Sequence, residues 1–389
     1  MYKSSKSKKH KLFGIVLSAA IAAGLFTSCA KQEAESSAPD NTQPEIQTEE
    51  DETISAKVTA EGTKFMVNGK ELWINGVNTP WQNWNDFGGS FDPAFWDSHF
   101  ADLHEIGVNA VRVWVNCDSM VSIKLKPSGE VREVTEQHWS DIDKLFEIAE
   151  KHQIYLMPTL LSFDHCKSGQ YKDRWRAVIT DESAMKSYVD NYVKPFAERY
   201  GANERLLGID LMNEPDWVHE NEECGRLPLE DLSRFFANCT AGIHEVNPDT
   251  LVTVGMGMIK YNSDAGGSRI QNIVSDEIMT GYAGEKACLD FYSPHYYDWM
   301  NSSGLGCAFE SSPADYGLDG TKPAFLGEIG TSTPLKDVYQ KCYDLGWNGV
   351  MMWMSNNGAE HADNWDDIAA ATQNIESAAG DKVFPLGKN

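Results

Sequence analysis

Eight short apolar segments alternate with amphipathic segments, and this alternation most constrains how the chain can fold. Near-continuous apolar strands are typical of a parallel sheet covered by helices. Eight such strands joined by helices are what an α/β fold of the (β/α)8 TIM barrel type requires. An open doubly wound sheet is the alternative, but no Gly-x-Gly-x-x-Gly follows the first strand. The predicted strands are Leu72–Val77, Ala110–Val115, Tyr155–Leu161, Leu207–Asn213, Leu251–Met256, Asp290–His295, Ala324–Gly327 and Gly349–Trp353.

Helix starts between these strands are marked by capping residues and first-turn prolines. Asp92-Pro93, Thr135 and Asp181 each precede an amphipathic pattern, at positions that helix entry favours. Before the first barrel strand, Asn68-Gly69 predicts a hairpin turn. The predicted helices are Ala94–Ile106, Glu136–Lys151, Glu182–Tyr200, Leu229–Val246 and Leu335–Leu345.

The first 28 residues have the pattern of an export signal. Five lysines precede an apolar run from Leu12 to Phe26, which is too short and too early for a membrane span. Small residues then lead directly to Cys29, which resembles a bacterial lipoprotein processing site. We expect residues 1–28 to be removed as a lipoprotein signal peptide and Cys29 to be lipidated. The alternative is an ordinary export signal that happens to contain a cysteine.

An acidic polar segment follows, over residues 29–55. It is rich in Glu, Asp, Ser, Thr, Pro and Gln and includes Glu49-Glu50-Asp51-Glu52. Because like charges repel and little can be buried, we expect a disordered tether. The tether would hold one large domain, residues 56–389, at a bacterial membrane or cell surface as an exported, lipid-anchored protein.

Net charge and cysteine spacing narrow the possible partners. The formal charge of −25 becomes more negative when the lysine-rich signal is removed. This argues against nucleic acid and anionic polysaccharide as partners and leaves neutral substrates open. No Cys-x-x-Cys or histidine cluster occurs, so we predict neither a metal site nor a cofactor. We expect a monomer.

Two glutamates more than a hundred residues apart stand at the ends of apolar strands. Glu214 lies in Leu-Met-Asn-Glu-Pro-Asp-Trp and Glu328 in Ala-Phe-Leu-Gly-Glu-Ile-Gly. In a barrel, side chains that follow the strands meet at one mouth. Two facing carboxylates are what a glycosidase needs to protonate a leaving oxygen and to attack an anomeric carbon. The alternative is a pair of surface carboxylates that cap strands.

Further polar motifs end other strands. The second strand ends in Val111-Arg112-Val113-Trp114, the sixth leads into His295-Tyr296-Tyr297, and the eighth ends in Met351-Met352-Trp353. Together with the two glutamate motifs, these resemble glycoside hydrolase family 5, a cellulase- and mannanase-like family of clan A. The resemblance covers roughly Phe65 to Asn357 and implies the barrel fold.

The resemblance also implies roles for these residues. Glu214 would be the acid/base and Glu328 the nucleophile, Asn213 would bond the sugar 2-hydroxyl, and Arg112 would keep Glu328 ionised. A carboxylate beside an arginine has its pKa lowered, whereas a less compensated carboxylate has its pKa raised and can hold a proton.

The remaining matched residues are aromatic or imidazole groups. Tyr297 would orient the nucleophile and His295 the acid/base or a sugar hydroxyl, while Trp353 would lie under the reacting sugar. The family usually places a histidine after strand three, where His165 is the candidate, for either substrate contact or loop structure. Trp81, Trp84, Trp217 and Trp299 fall in strand-end loops, where they would line a cleft or simply pack.

These observations and the resemblance predict an endo-acting glycoside hydrolase that cleaves β-1,4 bonds of a neutral polysaccharide of the β-glucan or cellulose type. The resemblance implies that the reaction retains the anomeric configuration. The alternative substrate is β-1,4-mannan, since glucan and mannan differ only at C2. An alternative of another class is a non-catalytic surface glycan-binding lipoprotein, which would commonly lose a catalytic carboxylate.

Overall fold

The computed structural model describes residues 54–117, 119–167, 169–263 and 271–389. The predicted signal peptide 1–28, the predicted lipidation residue Cys29 and the tether up to residue 53 lie outside the described residues. None of the helices in the described ranges combines the length and the apolar composition that a bilayer crossing needs.

Eight parallel strands form a nearly closed sheet surrounded by helices, which confirms the predicted (β/α)8 barrel. Hydrogen-bonded neighbours follow the order β5-β4-β3-β2-β1-β8-β7-β6. Most of these strands are buried along their whole length, as expected for a sheet covered by helices. The strands are β1 (Ile74–Asn78), β2 (Ala110–Trp114), β3 (Tyr155–Thr159), β4 (Ile209–Asn213), β5 (Val252–Gly255), β6 (His295–Tyr297), β7 (Leu326–Gly330) and β8 (Gly349–Met352).

The seam between β5 and β6 is bridged by main-chain hydrogen bonds outside the regular ladder. The N–H of His295 donates to Met256 at 2.8 Å, and the N–H of Asp290 donates to Val252 at 2.9 Å. In the structure β6 begins at His295, the residue at which the predicted strand Asp290–His295 ends. Pro294 has no N–H to contribute to a ladder, which explains the later start.

Helices fill the connections between strands, and their starts match the predicted caps. The side chain of Asp92 accepts from the N–H of Ala94, and that of Thr135 accepts from the N–H of His138. The helices are Pro93–Glu105, Glu136–Lys151, Asp164–Lys167, Lys172–Thr180, Glu182–Tyr188, Lys194–Tyr200, Asp216–Glu220, Leu229–Val246, Asp276–Ala283, Asp298–Ser302, Pro313–Tyr316, Leu335–Asp344 and Trp365–Ala379. A π-helical turn, Val189–Val193, joins Glu182–Tyr188 to Lys194–Tyr200.

Short antiparallel strands complete the fold. Val58–Glu61, Lys64–Val67 and Lys70–Leu72 form an N-terminal sheet whose second turn is the predicted Asn68-Gly69 hairpin. Phe65 from this sheet contacts Phe291 and Phe325, with ring centroids 5.3 and 6.0 Å away. These residues belong to one apolar cluster with residues at the starts of barrel strands, so the sheet covers the amino-terminal end of the barrel. Two small hairpins pair Ile123–Leu125 with Val131–Val134 and Asn356–Asn357 with Glu360–His361.

A buried amide ties this end of the barrel to the C-terminal segment. Asn109, just before β2, donates to the carbonyls of Trp73 at 2.8 Å and Val383 at 2.7 Å. Its Oδ1 accepts from the N–H of Asn75 at 2.9 Å. One side chain thus satisfies three main-chain groups in the interior.

We predict that Asn109→Ala lowers the free energy of unfolding by about 2–4 kcal/mol, because three buried main-chain groups lose their partner. Thermal unfolding followed by circular dichroism measures the effect as a lower Tm. The control is Asn301→Ala, which changes an exposed asparagine. Equal Tm values for the two variants would contradict the prediction.

Candidate active site

The two predicted catalytic carboxylates meet at the carboxyl-terminal mouth of the barrel. Glu214 directly follows β4, whereas Glu328 lies within β7, beside His295 in the register of β6. One side-chain oxygen or nitrogen from each of these three residues lies within 4.8 Å of the others. Nδ1 of His295 is 3.1 Å from Oε1 of Glu214 and 3.5 Å from Oε2 of Glu328. One imidazole nitrogen therefore lies close to both carboxyl groups and is hydrogen-bonded to Glu214.

Glu328 is buried and is held by charged and neutral donors. Arg112 Nη1 donates to Glu328 Oε2 at 3.2 Å, and the Tyr297 hydroxyl donates to Glu328 Oε1. Burial raises the pKa of Glu328 above its ordinary value, while the charge of Arg112 and the hydrogen bond from Tyr297 act in the opposite direction. We expected the pKa of Glu328 to be low because of Arg112, and this expectation is wrong for the overall shift. Loss of hydration raises the pKa by more than Arg112 lowers it.

Glu214 is positioned by an unusual backbone conformation. Its φ is +46°, and its N–H donates to the carbonyl of Gly255 at 2.7 Å. Burial raises the pKa of Glu214 to about 7, against a lowering effect of Arg112. A carboxyl group with this pKa carries its proton near neutral pH and can act as a general acid.

His295 is neutral at this site. Burial, more than any nearby charge, lowers the pKa of His295 to about 4. A neutral ring with its proton on Nδ1 donates to Glu214 Oε1, which leaves the other oxygen of Glu214 available to carry the acid proton. Nε2 of His295 is buried and has no hydrogen-bond partner among the described residues.

Arg112 organises the floor of the site. Its guanidinium is fully buried, and Nε and Nη2 both donate to Asp210 Oδ2, at 3.0 and 2.8 Å. Nη2 also donates to Asn213 Oδ1 at 2.8 Å, and Nη1 donates to Asn78 Oδ1 at 3.0 Å and to Glu328. All five guanidinium N–H groups are used in this way. Arg112 thereby fixes Asn213 and Glu328 relative to each other.

Asp210 completes this network, and the sequence patterns did not single it out. Its Oδ2 accepts from the Thr159 hydroxyl at 2.9 Å in addition to Arg112, and its Oδ1 accepts from the N–H groups of Met212 and Gly255. An acidic residue inside an apolar strand needs a buried cationic partner. This requirement would have indicated that Asp210 pairs with Arg112.

Gly255 at the end of β5 is required by close packing. A Cβ at this position would lie 2.9 Å from His295 Nε2 and 3.0 Å from Arg112 Nη2. Any larger residue would displace the imidazole of His295 or the guanidinium of Arg112, so the site depends on a glycine here.

Tryptophans line two sides of the barrel mouth. Trp353, after β8, is half-buried and lies 6.0 Å from Trp81, after β1, by ring centroids. Trp84 and the buried Trp114 complete this group, at 4.8 and 4.9 Å from Trp81. Trp114, which ends β2, therefore supports the aromatic wall, a role that the sequence did not indicate.

The second aromatic group comes from the loops after β4 and β6. Trp217 and Trp299 have ring centroids 6.1 Å apart, and Trp299 is 40% exposed. Asp298 fixes the turn that carries Trp299, because it accepts from the Thr331 hydroxyl at 2.6 Å and from the Ser332 N–H at 2.8 Å. Exposed rings at a cleft offer faces on which neutral sugars can stack.

His165 lies in the loop after β3 and is buried. Its Nε2 is 3.1 Å from the Asn116 side-chain nitrogen, and its Nδ1 is 3.1 Å from both main-chain polar atoms of Ser162. Its ring packs edge-on against Trp175 at 4.7 Å. Of the two roles considered, these contacts favour the loop-structural one.

Known proteins are similar to this chain in sequence and in fold. The family model "Cellulase (glycosyl hydrolase family 5)" matches residues 59–369. A mannan endo-1,4-beta-mannosidase of Mytilus edulis is 26% identical over 351 residues, covering 83% of this chain and 93% of that protein. A second, from Cryptopygus antarcticus, is 23% identical and covers 79% of this chain and 87% of that protein.

Solved structures agree with the family match. The β-mannanase of the blue mussel Mytilus edulis superposes with a TM-score of 0.74 at 25% identity, covering 82% of this chain and 96% of that one. The β-1,4-mannanase of the sea hare Aplysia kurodai gives a TM-score of 0.72 at 23% identity, with 82% and 97% covered, and is similar in fold. The chain therefore belongs to glycosyl hydrolase family 5 and is a glycosidase.

Proposed function

We propose that this protein is an endo-β-1,4-mannanase that cleaves internal bonds of mannan with retention of anomeric configuration. The observation that carries the hydrolase mechanism is the pair Glu214 and Glu328, whose carboxyl oxygens lie 3.1 and 3.5 Å from His295 Nδ1. For the substrate, the support comes from relatives named as mannan endo-1,4-beta-mannosidases. They favour mannan, the alternative substrate in the sequence analysis, over the expected β-glucan.

In the first step, Glu328 attacks the anomeric carbon and Glu214 protonates the departing glycosidic oxygen. The bond from the anomeric carbon to that oxygen breaks, and a glycosyl ester forms on Glu328. One carboxyl oxygen of Glu214 lies within 4.8 Å of one carboxyl oxygen of Glu328, a short separation typical of direct nucleophilic attack. Arg112 and Tyr297 keep the attacking carboxylate oriented through their hydrogen bonds.

In the second step, water replaces the sugar on Glu328. Glu214, now ionised, accepts a proton from this water, whose oxygen attacks the anomeric carbon and releases the Glu328 carboxylate. The N–H of His295 donates to Glu214 Oε1 and stabilises the ionised form that this step requires. Both steps depend on Glu214, which acts as an acid in the first step and as a base in the second.

The geometry argues against the non-catalytic alternative. A glycan-binding protein needs the two tryptophan groups, but it needs neither a buried Glu214 whose pKa is raised to about 7 nor the hydrogen bonds from Arg112 and Tyr297 that hold Glu328. Burying the charges of Arg112 and Glu328 costs folding free energy, and a catalytic role explains why the fold keeps them buried.

We predict that the protein releases reducing sugar from galactomannan and glucomannan at least about tenfold faster than from carboxymethylcellulose, lichenan or xylan. Endo action should lower the viscosity of galactomannan before much reducing sugar appears. Glu328→Ala, prepared in parallel, gives the background. Faster hydrolysis of lichenan or carboxymethylcellulose than of either mannan would refute the mannanase proposal.

We predict different consequences for the two carboxylates. Glu328→Ala should reduce turnover by at least about 10⁴-fold on every substrate, because the attacking atom is lost. Glu214→Ala should reduce mannan hydrolysis by about 10²–10⁴-fold, spare aryl mannosides with good leaving groups, and respond to azide. A 2-deoxy-2-fluoro mannoside should label the peptide that contains Glu328. Label on the Glu214 peptide would reverse the assignment.

We further propose that the enzyme is exported as a monomer and anchored to a bacterial membrane or cell surface through Cys29. The support is the sequence pattern alone: a short apolar run before Cys29 and an acidic segment over residues 29–55. A solvated, strongly negative spacer would hold the catalytic domain away from an anionic surface.

We predict that Cys29→Ala abolishes metabolic labelling with palmitate and moves the protein from the membrane fraction to the soluble fraction. The matched control is Cys288→Ala, because Cys288 is a partly exposed cysteine of the folded domain. Equal labelling of wild type and Cys29→Ala would exclude the anchor.

A further inference from the structure

A third carboxyl group is buried behind the acid/base. Asp216 lies two residues after Glu214 and is fully buried at the start of the helix Asp216–Glu220. Its Oδ1 accepts from the N–H of Gly257 at 2.8 Å. Its Oδ2 is buried and has no hydrogen-bond partner among the described residues. An ionised carboxylate in this position would be poorly compensated, so Asp216 favours its protonated form.

Asp216 and Glu214 pack against the same point of the main chain after β5. A Cβ at Gly257 would lie 3.1 Å from Asp216 Oδ2 and 3.3 Å from the carboxyl carbon of Glu214. The N–H of Glu214 is bonded to Gly255, and Asp216 is bonded to the N–H of Gly257. Two glycines therefore allow both carboxyl groups to approach one loop, where the charge of Glu214 acts on Asp216.

The neighbouring cationic side chains form ion pairs with carboxylates other than Asp216. Arg112 is bonded to Asp210 and Glu328, and Lys260, in the loop after β5, is paired with Glu220. The groups that face the pair from the surrounding elements are Arg112 (β2), Asp164 (after β3), Trp217 (after β4), Lys260 and Tyr261 (after β5), His295 (β6) and Glu328 (β7).

We propose that Asp216 is a positioning residue for catalysis, which holds a second exchangeable proton beside Glu214 and so keeps the acid/base protonated at higher pH. This role rests on the proposed acid/base function of Glu214. When one proton has left the pair, the remaining proton is shared between the two carboxyl groups, because both cannot readily ionise together. Burial, followed by the charge of Glu214, raises the pKa of Asp216 to about 8, in agreement with this coupling.

The first test is the pH dependence of kcat/KM on galactomannan for Asp216→Asn. Asparagine keeps an oxygen that can accept from Gly257 but cannot ionise. Since the mutant loses the shared proton, the alkaline limb should move down by about one pH unit, a loss of about tenfold at pH values above both limbs. Activity on the acidic side should change little. A control, Glu222→Gln, removes an exposed negative charge from the same loop and should leave the limb in place.

Each outcome of this test has a defined meaning. An alkaline limb that stays in place or moves up in Asp216→Asn overturns the proposal, even if activity falls uniformly, because a purely structural role predicts that result. Failure of azide to rescue Glu214→Ala would instead remove the acid/base assignment itself. The two failures are distinguishable because they come from different variants and different measurements.

A second measurement applies if Asp216→Asn does not fold. Infrared titration of the full chain with carbon-13-labelled aspartate follows protonated buried aspartates directly. We expect one aspartic acid band that persists above pH 7 in the wild type and whose midpoint falls in Glu214→Gln, where the coupled charge is absent. Absence of such a band, or a midpoint unchanged by Glu214→Gln, would overturn the proposal.

Discussion

The buried ion pair between Arg112 and Asp210 is the interaction on which the rest of the site depends. Arg112 uses two N–H groups on Asp210, and the remaining three reach Asn78, Asn213 and Glu328. A buried charge is costly unless every donor is satisfied, and here each guanidinium N–H has an acceptor. Removing any acceptor would leave a charged donor without a partner in the interior. The network therefore holds Glu328, the proposed nucleophile, in place before substrate arrives.

Loss of hydration governs the acid–base behaviour of the two proposed catalytic carboxyl groups. Burial raises the pKa of both Glu214 and Glu328, but their partners differ in kind. Glu328 receives hydrogen bonds from a guanidinium and a phenol, which favour its charged form. Glu214 receives one from a neutral imidazole, and its burial favours its protonated form. Local partners would thus separate the proposed roles of Glu214 as the acid and Glu328 as the nucleophile.

Much of this architecture was predictable because local patterns and the barrel topology agree. Two predicted helices, Glu136–Lys151 and Leu229–Val246, have the predicted bounds, since caps and apolar periodicity mark their ends. The start of β6 was missed because the apolar pattern continues through Pro294, whose missing N–H affects only pairing with neighbours. Asp210 was missed for a related reason: its partner Arg112 is distant in sequence, and a lone acidic residue in a strand carries no periodic signal.

The sequence by itself determined the eight-stranded barrel, the placement of Glu214 and Glu328 at its mouth, and the family to which the motifs belong. These follow from local patterns and from a topology in which the ends of parallel strands meet. Only the tertiary structure decided that the pKa of Glu328 is raised and that His165 makes structural contacts. It also decided that Trp114 packs under the aromatic wall and that Asp216 is buried. Hydration, burial and close approach are sums over residues from many strands, so no single segment of the chain contains them.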